Sequence, residues 1–432
     1  ALRAHDGGAE VVVLERDASP FGSTSMSSGF IPAAGTRTQR SLGIADSADR
    51  FFGDLRLKAK GKNDPALARL AADNIGPALD WLAADHGLEW VILDDFLYPG
   101  HSAHRMHAVP EKTGAGLLSR LLRATERAGI AVVTNALASG LFVQHDRVKG
   151  VQITRPDGAL ENTGCDALIL ASSGFGANAG LVGRHIPTMS NAPYHGHAGN
   201  TGDALAWGLA MGAGVRHLSG CQGHGSLAHP VGILISWALM MEGGIQVNAR
   251  ARRFSDEHQG YSEQAVPVLK QPGAIAWCVF DGRIMEMAKA FPDFLQAIDA
   301  GAIKSGLSAS GLAEATGLPA DALAKTIART ADMAQGARSD PFGRDFTTRP
   351  QLCAPFYAVR VTGALFHTQG GLVIDHHGRV LRPDGAVLPN LYAGGGAACG
   401  VSGPDISGYL SGNGLLGAIA FGMLSGEHAA KR

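Results

Sequence analysis

Aromatic residues are scarce in this 432-residue chain, at 6% of the sequence, and neither sign of charge dominates, with 37 Lys plus Arg against 38 Asp plus Glu. A nucleic-acid partner calls for a basic stripe interleaved with aromatics, which is missing here, and an anionic membrane surface is disfavoured on the same ground. Cysteine is sparse as well. Cys165, Cys221, Cys278, Cys353 and Cys399 stand far apart, without the spacings that mark a redox pair, an attached haem or a zinc site. They read as small buried hydrophobes, and no metal is expected. No run approaches the ~20 apolar residues of a membrane-spanning helix. No cationic-then-apolar leader opens the chain, so the cytoplasm is the default location. The first residue is Ala1 and not Met, however, so a leader removed upstream would leave no trace.

Glycine, by contrast, is abundant at 59 residues, and 45% of the chain is hydrophobic. At this length the combination suggests a loop-rich enzyme of two domains. The chain opens on the tail of a helix and a Gly7-Gly8 turn. The apolar run Val11-Val12-Val13-Leu14 follows and ends in Glu15, the pattern of a buried parallel strand with an acid at its carboxyl end. Residues 19–29 are too rich in hydroxyls for a core element and read as a loop full of hydrogen-bond donors. Helical patterns over residues 65–86 and 113–129 alternate with strands at 130–133, 148–153 and 167–171, which argues for an α/β sheet. From Cys221 to about Phe366 the character changes to a glycine-rich hairpin, a charged run at residues 250–253 and helices of weak periodicity. This reads as an insertion, giving one domain over residues 1–220 and 367–432 and a second over 221–366. Residues 413–431 form a strongly helical tail.

In a dinucleotide-binding βαβ unit an acid ends the second strand and bonds a ribose, while glycines between the first strand and helix admit the pyrophosphate. Glu15 stands in the acid's place, although a surface Glu after a strand is commonplace. The GxGxxG and the strand before it are missing, because the numbering begins inside the helix that would follow them. That strand normally lies at the sheet's centre. Its loss is expected to open two strand edges, so the working molecule is expected to have upstream residues and this chain alone to bind its dinucleotide poorly.

Several segments together resemble the flavoprotein family of fumarate reductases, succinate dehydrogenases and 3-ketosteroid dehydrogenases. Glu15 with Ser23, Thr24, Ser27, Ser28 and Gly29 resembles its adenosine-ribose and flavin-facing segment. Ala171-Ser172-Ser173-Gly174-Phe175 resembles ATGGF, and Thr201-Gly202-Asp203 resembles TGDG. Phe366-His367-Thr368-Gln369-Gly370-Gly371 matches HTxGG, and Tyr392-Ala393-Gly394-Gly395-Gly396 is similar to the strand before the flavin-ring contact. The resemblance implies a Rossmann-like FAD-binding domain, its parallel sheet incomplete at the N-terminus, with an inserted α+β substrate or capping domain. FAD is the implied cofactor. Ser173, Gly174, Asp203, Gly371 and Gly395 are implied contacts, and the last helix, through Gly412, Asn413, Gly414 and Leu415, would set its positive end against the negative edge of a reduced flavin.

Residues 222–257 resemble the fumarate reductase segment that carries a substrate histidine and ends in RFVNE, here Arg253-Phe254-Ser255-Asp256-Glu257. His224 falls on the first substrate histidine of that family and His367 on the second. Its two arginines, one a proton donor and one a carboxylate clamp, fall on Tyr261 and Tyr409, in a chain with only six tyrosines. A dicarboxylate without those cations would be poorly compensated, so fumarate and succinate are disfavoured. A phenol donates to a ketone oxygen and, as phenolate, accepts an acidic α-proton, although unperturbed it ionises near pH ~10. The catalytic positions are therefore nearest to the ketosteroid dehydrogenase branch. The expected reaction is α,β-dehydrogenation of a ketone, with Tyr409 on the carbonyl and Tyr261 taking the proton. The expected partners are a small carbonyl substrate and an external electron acceptor or donor, since no haem or iron–sulfur motif is present. Reduction of an activated C=C bond is the reverse alternative, and a non-catalytic flavin-binding protein or degenerate fragment is the alternative of another class. Tyr98 is expected to pack in the core rather than to serve as a third phenol at the site, Arg105 to be a structural, capping residue rather than part of substrate entry, and residues 250–253 to form a solvated turn in which Arg253 pairs with Asp256 or Glu257.

Overall fold

The first apolar run forms its strand one residue late, at Val12–Leu14. In the computed structural model, which describes residues 1–94 and 97–431, it pairs in parallel with Ala131–Val133, Val13 lying opposite Val132. Leu168–Leu170 pairs in parallel with Val387–Ala393, whose other edge takes Arg379–Leu381 antiparallel. Among the described residues, Val12–Leu14 and Leu168–Leu170 each have a hydrogen-bonded neighbour along one edge only.

These strands belong to the first of two compact units, made of Ala1–Ile186, Gly196–Cys221 and His367–Arg432. Its helices begin and end where local chemistry dictates. Pro65–His86 starts with Asp64 accepting from the amides of Ala66 and Leu67, has Pro65 at its first position, and stops at Gly87 with φ 70°. Gly114–Arg127 is capped by Thr113, which accepts from Gly116 N. The hydroxyl-rich stretch expected to be a plain loop contains a short helix, Gly22–Met26. Hydroxyls here turn back on the chain, Ser25 Oγ to Gly22 O at 3.2 Å and Ser27, just past the helix, to Thr24 O at 2.7 Å, and so are satisfied locally.

The second unit comprises Pro187–His195 and Gln222–Phe366. The helices expected after residue 253 are present, among them Tyr261–Leu269, Pro292–Asp299 and Ala320–Ala334, and the structure adds a six-stranded sheet in which Phe356–Thr368 is the spine. Ile275–Asp281 and Ile303–Gly306 both pair antiparallel with it. Trp237, Phe280, Phe294, Val279 and Leu312 fill the core behind that sheet.

The run at residues 250–253 is not a solvated turn throughout, because Arg253 is buried, with 5% of its side chain exposed. It bonds Glu257 through Nε (2.9 Å) and Nη2 (2.6 Å) and Asp340 through Nη1 (2.5 Å). Asp340 lies far along the chain, so its share of the pair could not be read locally. Arg344 adds a second buried guanidinium, bonding Glu257 Oε2 at 3.1 Å. Two cations thus face two carboxylates in the interior.

Candidate active site

In the first unit, Glu15 extends the strand Val12–Leu14 through its amide, which donates to Val133 O at 2.9 Å. Its Oε1 accepts from Asp17 N at 2.9 Å, which fixes the carboxylate at the strand's end. Ser23 Oγ accepts from Asn200 Nδ2 at 2.8 Å. The Ser27 hydroxyl is committed within its own loop, donating to Thr24 O and accepting from Gly29 N at 3.1 Å. Thr24 and Ser28 belong to the same stretch, which lies against the start of Gly114–Arg127. A Cβ on Gly114 would stand 1.9 Å from Thr24 O, and one on Gly29, at φ 71°, would stand 2.7 Å from Thr113 O.

The remaining glycine motifs interlock. A Cβ on Gly174 would meet Thr368 Oγ1 at 1.9 Å, and that hydroxyl accepts from Phe175 N at 3.3 Å. Side chains at Gly371 and Gly396 would strike Ala397 O at 2.6 Å and Gly174 N at 2.8 Å, so ATGGF-like, HTxGG and Gly394-Gly395-Gly396 segments lie backbone to backbone. Ser173 adopts φ 63° and Gly395 φ 57° in these turns. Asp203 opens the helix Asp203–Ala210 and accepts from Thr201 Oγ1 at 2.8 Å.

The last helix, Asn413–Ala429, follows Gly412 at φ 87°, where a Cβ would sit 2.4 Å from Pro32 Cδ. Its first-turn amides at Gly414 and Leu415 lie at the positive end of a 17-residue helix. Asn413 Nδ2 donates to Ser402 Oγ at 2.9 Å, whereas Asn413 Oδ1 is buried without a partner. A buried acceptor beside helix-end donors suits a heterocycle that carries both N–H and C=O groups on one edge, as the pyrimidine part of a flavin does.

His367 lies against that helix, since a Cβ on Gly414 would come within 3.0 Å of its Cε1 and Nε2. The ring of Tyr409, itself 5% exposed, meets it edge-on at a centroid distance of 5.4 Å. Desolvation pushes His367 down to about 4, against a smaller opposing pull from Thr368 O. Gln369 Nε2 lies 3.0 Å from its Nδ1.

The second unit holds the other pair. His224, on the strand Cys221–Ala228, is 5% exposed, and Tyr261 is stacked on it at 4.8 Å with 22° between the rings. Phe366 at 5.4 Å and Trp237 at 5.8 Å complete an aromatic collar. Tyr261 is the first residue of the helix Tyr261–Leu269, which lies close on the sheet because a Cβ on Gly225 would be 2.8 Å from Gln264 and one on Gly363 2.4 Å from Ala265 O. Gly223 N donates to Ser262 Oγ at 3.0 Å, which pins the start of that helix beside His224. Desolvation, and then the neighbouring His195, push His224 down to about 3. Both imidazoles are therefore neutral at pH 7.

Arg105 is a structural residue, fully buried and bonded to Asp46 at 2.9 and 3.0 Å and Asp54 at 2.6 Å. Tyr98 packs edge-on to Phe30 at 6.2 Å. Phe96, from the same sequence segment, lies outside the described residues. Among the described residues no cluster of His, Cys, Asp or Glu could hold a metal ion. Sequence reasoning passed over Gln369, Ser402, Trp237 and Phe366. The HTxGG match was a signal for Gln369, at its variable position, and for Phe366, just before it, whereas nothing local marked Ser402 or Trp237.

The profile of a family described as FAD binding domain matches residues 1–415. The chain belongs to that flavoprotein family. FAD is accordingly its cofactor, and the glycine turns, Glu15 and the first turn of the last helix are the parts of this chain that suit it. An NADH:fumarate oxidoreductase from Klebsiella pneumoniae (strain 342) is 30% identical over 100% of this chain and 46% of its own length. The chain thus spans about half of that curated relative. A solved structure of a flavocytochrome c3 fumarate reductase in its open conformation is similar at TM-score 0.83 and 26% identity, covering 100% of this chain and 75% of the other. The 3-ketosteroid-Δ4-(5α)-dehydrogenase from Rhodococcus jostii RHA1 shares the fold, with TM-score 0.78 and 22% identity over 100% of this chain and 94% of the other. No described helix is long and apolar enough to cross a membrane.

Proposed function

We propose that the protein is an FAD-dependent oxidoreductase acting on CH–CH groups, and that it dehydrogenates a ketone at its α,β-bond. The observation that carries this reading is the pairing of each tyrosine at a family arginine position with an uncharged histidine, Tyr409 with His367 and Tyr261 with His224. Phenols and neutral imidazoles bind a ketone oxygen well, but leave the paired charges of a dicarboxylate uncompensated. Bound FAD supplies the hydride acceptor. Tyr409 donates a hydrogen bond to the carbonyl, and Tyr261, as its phenolate, takes the α-proton and becomes the neutral phenol, so that loss of a proton and a hydride leaves a C=C bond conjugated to the ketone. His224 and His367 orient the carbonyl substrate. The electrons pass on to an external acceptor. The five free thiols suit a reducing cytoplasm.

The opposite direction, reduction of an activated C=C bond, is the second reading, favoured by the activity named for the Klebsiella relative. In that direction Tyr261 is the better proton donor, because His224 is held neutral. Bleaching of bound flavin by a panel of cyclic ketones, with no bleaching by succinate, supports dehydrogenation. Oxidation of the reduced flavin by fumarate faster than by any enone supports the second reading. A flavin that responds to neither makes the protein a binder. Tyr409→Phe is expected to lose most ketone turnover with the flavin spectrum intact, and unchanged turnover removes Tyr409 from the mechanism.

A further inference from the structure

We propose that Gln369 is a positioning residue that, held by Ser402 and Asn413, fixes His367 as its Nε2–H tautomer. The sense of the hydrogen bonds follows from proton counting. Ser402 Oγ has one proton; it accepts from Asn413 Nδ2 at 2.9 Å and donates to Gln369 Oε1 at 2.6 Å. With Oε1 engaged, the amide nitrogen of Gln369 is the atom that faces His367 Nδ1 at 3.0 Å. Nδ1 must then offer its lone pair, and a neutral imidazole carries its single proton on Nε2. The competing tautomer would point Nδ1–H at Thr368 O, which is farther away at 3.4 Å.

The relay is well anchored. Gln369, Ser402 and Asn413 are 5%, 1% and 2% exposed. The backbone of Gln369 is tied on both sides, its amide to Gly220 O and its carbonyl to Gly400 N, each at 2.8 Å. A buried amide fixed in this way holds its orientation because flipping it would set Nε2 against Ser402 Oγ, which already accepts from Asn413, and take from the Ser402 proton the Oε1 acceptor it meets at 2.6 Å. The Nε2 edge of His367 lies beside Gly414. As a donor, Nε2–H does not compete for the first-turn amides of the last helix, which stay available to the cofactor. His367 therefore presents a fixed, uncharged donor, which selects a substrate group with accepting lone pairs, such as a ketone or ester oxygen, over a hydroxyl proton.

This assignment rests on the reading that His367 meets substrate, but its test does not depend on turnover. The flavin-loaded protein is labelled with 15N-histidine and examined by long-range 1H–15N correlation at pH 7, with the His367 signals assigned by their loss in His367→Gln. The wild type is expected to show protonated Nε2 and bare Nδ1. Gln369→Met is expected to yield a mixture of tautomers and a several-fold higher KM for a ketone. Gln369→Glu, whose carboxylate accepts, is expected to move the proton to Nδ1 and shift the titration of His367 upward. A wild-type Nδ1–H, or an unchanged Nε2–H population in Gln369→Met, overturns the proposal. Should Gln369→Met fail to fold, Ser402→Ala releases Oε1, and an unchanged tautomer there overturns it equally. Absence of ketone turnover together with the expected tautomer rejects the proposed reaction while upholding the relay.

Discussion

Replacing Glu257 by Gln removes one charge from the interior of the second unit and leaves every atom position nearly filled. Glu257 Oε1 accepts from Arg253 Nε at 2.9 Å and Gln246 N at 3.0 Å, and Oε2 accepts from Arg253 Nη2 at 2.6 Å and Arg344 Nη1 at 3.1 Å. In the variant Arg253 keeps Asp340, Arg344 loses the carboxylate that its guanidinium bonds, and an amide N–H points at a guanidinium. Breaking a buried pair by removing one partner costs about 3–5 kcal/mol, since the remaining charge stays desolvated. Trp237, whose Nε1 donates to Glu257 O at 3.0 Å, reports on this region by fluorescence. Urea titrations of wild type and variant are expected to differ by that amount. Burial works against the ionised carboxyl of Glu257, but the Arg253 and Arg344 guanidinium groups outweigh it and hold the group below its ordinary value of 4.5. Its stabilisation is therefore present above pH 4.5 and is lost as the pH falls below it, so the gap between the two proteins should close in acid. A loss below about 1 kcal/mol at pH 7 refutes the view that this cluster is an obligatory charge balance. Because Glu257 opens the turn before Tyr261, turnover should fall in the same variant.

Two further outcomes follow from the geometry. His224 and His367 are lowered to about 3 and about 4 from an ordinary 6.5, so the stability they confer is present above pH 6.5 and drains as the pH falls toward those values. The urea midpoint should drop from pH 7.5 to pH 5 more steeply in the wild type than in His224→Asn, and parallel profiles would reject the assignment of His224 as buried and neutral. Gly174→Ala forces a methyl to within 1.9 Å of Thr368 Oγ1. It should cost about 1–3 kcal/mol and much of the bound flavin, with partial recovery in Gly174→Ala/Thr368→Ala; full flavin content in the single variant would show that this crossing does not shape the cofactor site.

Local rules carried the sequence reading a long way in the first unit. Asp64-Pro65 and Gly87 mark both ends of one helix, and Thr113 marks another. The glycine motifs were legible because each stands where a Cβ would strike backbone or a fixed side chain, as at Gly29, Gly174 and Gly371. The second unit was opaque for a physical reason. Its sheet forms between segments distant in sequence, such as Trp277 opposite Arg360, and its charge balance joins Arg253 to Asp340 across 87 positions. No window of neighbouring residues contains that information. The same applies to Gln369, whose role depends on Ser402, 33 residues on.

The two departures from arginine were visible in the sequence, but their meaning depends on the histidines. Had His224 or His367 been exposed, each would titrate near pH 6.5 and restore part of the missing positive charge. Burial removes that option. His224 sits within a collar of Tyr261, Phe366 and Trp237, and His367 receives a hydrogen bond at Nδ1 in place of a proton. Both changes push the same way, toward donors without charge. On the proposed reading a dicarboxylate meets a desolvation cost that these four uncharged side chains do not offset, whereas a ketone oxygen needs only uncharged donors. Restoring the cation tests this economy: Tyr409→Arg should improve the capture of fumarate and weaken that of ketones, and competition between the two ligands in flavin-spectral titrations would show it. If Tyr409→Arg leaves both affinities unchanged, charge at that position does not set the choice of substrate.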